Sequence, residues 1–136
     1  MLRSVGAVLG GLFLGFLLVG AIEFLGHWVY PPPLGIEKWQ YDQIANWARD
    51  APLGVFLFVF VAWTLGAFVS ALSACYLAGK SPWIPVGIVG LVFIAATGFN
   101  LVAIPHPLWF VLSAPLAVVA SVWLGVTTAR RHVTSS

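Results

Sequence analysis

Residues 81–129 read SPWIPVGIVGLVFIAATGFNLVAIPHPLWFVLSAPLAVVASVWLGVTTA, 49 residues without one Asp, Glu, Lys or Arg. A soluble domain carries roughly 25% charged residues, so a run of this length and composition has no place on a surface facing water. It is long enough for two crossings of a hydrocarbon core of about 30 Å, at about 20 residues each. Pro105-His106-Pro107 breaks it into two helical spans, at about 82–104 and 107–128. Ser81 is the expected N-cap of the first of these, with Pro82 just inside. Pro115 lies within the second, where a membrane helix tolerates it if neighbours or water satisfy the freed carbonyl.

Toward the N-terminus the same composition continues. Of 136 residues, 61% are hydrophobic and 7% are charged. A span at about 51–78 opens with Asp50 as its expected N-cap and Pro52 in its first turn, and ends at Gly79 and Lys80. Another covers about 5–28. Arg3 before this apolar run invites comparison with a signal peptide. The run Val5 to Ile22 is longer than a cleaved apolar region, and no small-residue cleavage site follows it, so an uncleaved helix is expected.

Between the first two spans lies a polar loop, 29–50. It opens with Pro31-Pro32-Pro33, which favours extended backbone. Its second half, Tyr41 to Arg49, places Tyr41, Ile44, Ala45, Trp47 and Ala48 on one side of a helix. Asp42, Gln43, Asn46 and Arg49 fall on the other. That pattern predicts a short amphipathic helix in the membrane interface. The fold class expected is therefore all-α: a polytopic four-transmembrane-helix bundle, one domain, with a short interfacial helix in its first loop and a polar tail at 129–136.

Net charge is +2, from six cations and four anions with no basic run. These charges read as orientation signals rather than as a footprint for nucleic acid. With the N-terminus inside, the cytoplasmic side holds Arg3, Lys80, Arg130 and Arg131, and the outer side holds Lys38 and Arg49 diluted by Glu37, Asp42 and Asp50. Both termini are then cytoplasmic. Trp28, Tyr30, Trp39, Tyr41, Trp47 and Trp109 would form an outer aromatic belt, and Tyr76, Trp83 and Trp123 an inner one. Trp63, in mid-helix, is the exception. Cys75 is alone, so it forms no internal disulfide, and it reads as a small packing residue.

Lipid tails give helices no hydrophobic reason to associate, so close backbone approach must supply the attraction. Small residues at four-residue spacing permit it. The second span carries Ala62, Gly66, Ser70, Ala74 and Ala78, with a parallel ridge of Ala67, Ala71, Cys75 and Gly79. The fourth carries Ala117, Ser121, Gly125 and Ala129, and the first Ala7, Gly11 and Gly15. Such ridges serve either to close one monomer or to join subunits, in a homo-oligomer or a larger membrane complex.

Four polar residues share the outer end. Glu23 is the acidic residue within a span, His27 lies one turn further on the same face, Asn100 lies a turn before the end of the third span, and His106 sits in the turn after it. Asp42 and Glu37 are placed to reach over them. Three readings stand. The first is structural, with Glu23 bonded to Asn100 or to Trp and backbone donors. The second is proton or cation handling by Glu23 and His27. The third is a metal or enzymatic site at Glu23, His27 and His106. No nucleophile with a base and an orienting partner is evident, and no cofactor motif, so a non-enzymatic membrane protein without cofactor is expected. An accessory or self-associating subunit using its ridges is the leading reading. A small transporter or channel for protons, cations or small amphiphiles through Glu23 is the alternative.

Glu23, Tyr30-Pro31-Pro32-Pro33 with the acidic loop, Ala62-Trp63 and Leu65-Gly66, then Asn100 and Pro105-His106-Pro107-Leu108-Trp109 form a pattern along most of the chain. In these motifs the chain resembles an uncharacterised family of small bacterial four-helix integral membrane proteins. The resemblance implies a bacterial inner membrane and brings no activity with it.

Overall fold

A computed structural model describes residues 1–35, 40–79 and 82–134, the side chains of 132–134 excepted. Among them every regular element is helical: α1 (Leu2–Val29), α2 (Tyr41–Arg49), α3 (Leu53–Ala78), α4 (Trp83–Ala103) and α5 (Leu108–Thr134). Four of these, all but α2, are long and apolar enough to cross a membrane. Large apolar side chains cover their outward faces, among them Phe13, Phe24, Leu91, Val102 and Leu116. An apolar exterior around a small-residue interior is the arrangement that a lipid solvent favours.

α3 is the hub, packing on α1, α4 and α5. Its ridge Ala62, Gly66, Ser70, Ala74 and Ala78 is buried along its whole length. Facing it on α1 are Ala7, Gly11 and Gly15, also buried. A Cβ on Gly15 would lie 2.7 Å from the Gly66 carbonyl oxygen, and one on Gly11 would lie 2.8 Å from that of Ser70. The backbones therefore touch, and dispersion summed over that contact holds the pair. The Ser70 hydroxyl adds a bond across the seam, donating to the Gly11 carbonyl at 2.8 Å. Ser70→Ala is expected to cost about 0.6–1.7 kcal/mol, the range for hydrogen bonds between membrane helices. Unfolding in mixed micelles reads the loss.

The second α3 ridge turns toward α5. Ala67, Ala71 and Cys75 are buried, and a Cβ on Gly125 would meet the Phe68 carbonyl at 2.6 Å and the Ala71 methyl at 3.1 Å. Ala129 is buried below Gly125, while Ala117 and Ser121 are half-buried. On α4 the buried face is Val86, Val89, Phe93 and Thr97, at helical spacing. Both α3 ridges thus close the bundle of a single chain.

Helix boundaries differ from the sequence expectation in three places. Pro52, not Asp50, is the N-cap of α3, because Pro52 holds extended backbone (ψ 149°) and the helix begins at Leu53; Asp50 instead ends α2. Pro82 is the N-cap of α4, and Ser81 lies outside the described residues, as does Lys80. The segment read as a polar tail continues α5 through Thr134, since nothing between Thr128 and Arg131 breaks a helix.

α2 forms as its periodicity demands. Ala48 is buried, Ile44, Ala45 and Trp47 are half-buried, and Asp42, Gln43, Asn46 and Arg49 are exposed; Tyr41, expected on the inward side, is exposed at the first turn. Tyr41 meets Phe99 of α4 edge-on, with 6.4 Å between ring centroids, which fixes α2 near the end of the bundle where α1 and α3 also meet the first loop. At the opposite end the Arg3 guanidinium donates to the Leu77 carbonyl at 3.0 Å, serving one of the orphan acceptors at the α3 C-terminus. Glu37, Lys38 and Trp39 lie outside the described residues.

Candidate functional site

Glu23 stands two turns before the end of α1. Side chains on a helix lean toward its N-terminus, so this carboxylate is carried away from the interface and into the bundle. There the indole of Trp63 donates to its Oε1 at 3.2 Å. Trp63 is 8% exposed, in the middle of α3. A buried indole N–H seeks an acceptor, and inside an apolar span the acidic residue supplies it.

The two residues wall a cavity of about 160 Å³ between α1, α3 and α4. Asn100 and Thr97 of α4 line it too, and Phe16 and Phe93 form its floor, stacked at 4.9 Å between centroids. The Thr97 hydroxyl donates to the Phe93 carbonyl at 2.8 Å and the Asn100 amide to that of Ala96 at 3.1 Å, each within its own helix. Asn100 and Glu23 therefore face one another across the space without bonding directly. Water needs a roomy site and two to four polar partners. This cavity offers both.

A carboxylate accepts at about four lone-pair positions, and Trp63 fills one of them. Glu23 can thus take a proton, waters or a small cation from the cavity while Trp63 holds it in place.

The other two members of the expected cluster lie elsewhere. His27 is exposed, and its Nδ1–H donates to the Glu23 main-chain carbonyl at 2.7 Å rather than to the carboxylate. His106 turns into an aromatic nest. Its ring stacks on Phe110 (4.6 Å, 19° between planes) and meets Phe56 and Trp63 at 5.7 Å and 6.2 Å. Its Nδ1–H donates to the Ile104 carbonyl at 2.7 Å. Among the described residues no three of His, Cys, Asp and Glu come close enough to share a metal ion. The metal-site reading of Glu23, His27 and His106 is corrected accordingly. Asp42 is exposed on the polar face of α2, and Glu37 lies outside the described residues.

Trp63 is the donor among the partners expected for Glu23; the sequence admits a Trp there without singling this one out. The signal was present: a lone indole among apolar neighbours, and a lone carboxylate in the next span needing a donor.

Burial holds the His106 imidazole below its ordinary range, and its bond to Ile104 opposes this only in part. The unfolded chain then binds the proton more readily than the folded one below about pH 6.5. Stability from this neutral ring is present above that pH and is lost as pH falls toward the lowered folded value. Between pH 7.5 and 5 the melting temperature of the native protein should fall more than that of His106→Gln. An identical slope for the two would remove His106 as the source.

Comparison with protein-family models, with curated proteins and with solved structures gives no match. The functional reading rests on this geometry.

Proposed function

We propose that this small integral membrane protein binds a proton or a small cation at Glu23 and passes it through the cavity between α1, α3 and α4. The carrying observation is the position of the Glu23 carboxylate. It faces a cavity with polar walls inside a bundle of membrane-spanning length, fixed among the described residues by one neutral donor, Trp63. A charged group at that depth costs a few kcal/mol on insertion scales. Serving the Trp63 indole needs only an acceptor, which a neutral amide would supply at lower cost than a carboxylate.

The alternative, an accessory or self-associating subunit, would use the half-buried α5 residues Ala117 and Ser121 rather than the α3 ridge on α1, which is buried within one chain. The resemblance to small bacterial membrane proteins supports placement in a bacterial inner membrane. The cation bias supports cytoplasmic termini, with the Glu23 cavity toward the outer face. The test is flux into proteoliposomes by the native chain and by Glu23→Gln. Equal flux ends the proposal.

A further inference from the structure

At the other end of the bundle lies a second groove, of about 350 Å³, between α4 and α5. Val86 of α4 and Val119, Val122 and Val126 of α5 line it. Branched side chains that are stiff at χ1 make a smooth apolar channel of the kind an acyl chain fills. At its end the walls change character. Arg130 lines the groove, its guanidinium carbon 3.9 Å from the centre of the Trp83 ring. Trp123 stands opposite, and both indoles are well exposed (61% and 66%). Arg131 follows on the same helix end.

We infer that this groove seats a phospholipid with an anionic headgroup, one acyl chain along the valines and the phosphate at Arg130. Charge selects the headgroup. Among the described residues, Arg130 is the one charged residue lining the groove, and it is positive. Its planar N–H fork matches phosphate geometry, and stacking on an indole fixes the plane of the fork. Indoles at the level of the headgroups are the usual interfacial anchors. Basic pockets between membrane helices recognise anionic lipid heads in this way. The site is separate from the Glu23 cavity and does not depend on it.

Native mass spectrometry of the full chain in mild detergent tests the inference. Phosphatidylglycerol and phosphatidylcholine of identical acyl chains are offered in equal amounts. The native chain should retain the anionic lipid about fivefold more often, the factor that corresponds to ~1 kcal/mol per arginine near the headgroup. Arg130→Gln should bring the two lipids level. Val119→Trp fills the groove from a position half open to lipid, 55% exposed, and should reduce both adducts with an unchanged melting temperature. Equal retention of the two lipids by the native chain overturns the inference. So does undiminished retention of the anionic lipid by Val119→Trp, which decides the matter even if Arg130→Gln fails to fold.

Discussion

Glu23→Gln should reduce proton or cation flux in proteoliposomes to the level of protein-free vesicles. Glutamine has nearly the shape of glutamate, keeps an acceptor for the Trp63 indole and removes the charge. The packing of α1 on α3 rests on Ala7, Gly11 and Gly15 and is not touched. Only the ability to exchange a proton or attract a cation is lost. An uncharged amide at membrane depth is also cheaper to bury, so the variant should melt no lower than the native chain. Trp63→Phe is the companion. It keeps an aromatic ring among Phe110 and His106 and removes the one donor to the carboxylate. A hydrogen bond to a charged group is worth about 1.5–3 kcal/mol, so a slowing of roughly tenfold or more is expected if the donor positions the carboxylate. A dye reporting internal pH, with and without a potassium diffusion potential, separates proton movement from cation movement. Flux unchanged in both variants would leave the cavity with no role in transport.

Gly15→Leu should cost the bundle about 3 kcal/mol or more. Inserting bulk into a well-packed core costs typically 1–3 kcal/mol when side chains can yield. Here the obstacle is a main-chain oxygen, that of Gly66, at 2.7 Å from the new Cβ, with the Ser70 Cβ at 2.6 Å. α1 would have to move away from α3 along the whole contact, and the Ser70–Gly11 bond would go with it. Two glycines of the same helix serve as controls. A Cβ on Gly6 or Gly20 meets nothing within 4 Å, so leucine at either position should cost nothing measurable. Thermal unfolding in detergent compares the three. A Gly20→Leu protein as damaged as Gly15→Leu would show that α1 packs by another face.

The four spans were legible because lipid depth disfavours charge: a 49-residue run without any accounts for two of them, and long apolar runs on the N-terminal side supply the others. The inward face of α2 was legible for a related reason: nine residues of strict helical alternation allow only one side to be dry, and Ile44, Ala45, Trp47 and Ala48 are that side. The pairing of ridges was not legible. Small residues at four-residue spacing show that some helix approaches closely but carry no information on which one. The α3 ridges receive α1 and α5. Azimuth around a helix was lost likewise. Depth places Glu23, His27, Asn100 and His106 at one end, but a shared end is not a shared site. His27 lies one turn from Glu23 and is exposed, because the apolar groups that bury Glu23 come from α3 and α4, whose positions no local pattern specifies. The end of α5 was misjudged for a different reason. Polar residues end a membrane crossing without ending a helix.

Cysteine accessibility addresses the bundle and its cavity together. In a Cys75→Ala background, single cysteines at Glu23, Asn100 and Phe24 are exposed, in sealed vesicles, to a membrane-impermeant thiol reagent. Glu23 and Phe24 are neighbours at one depth, but Phe24 is 69% exposed on the outer, apolar face of α1. Labelling at positions 23 and 100 and none at 24 is the expected result, since water reaches the cavity and lipid covers the outer face. Equal labelling at all three positions would mean that water surrounds α1, and protection of all three would mean that the cavity is dry; either contradicts a hydrated Glu23 site within a membrane-spanning bundle.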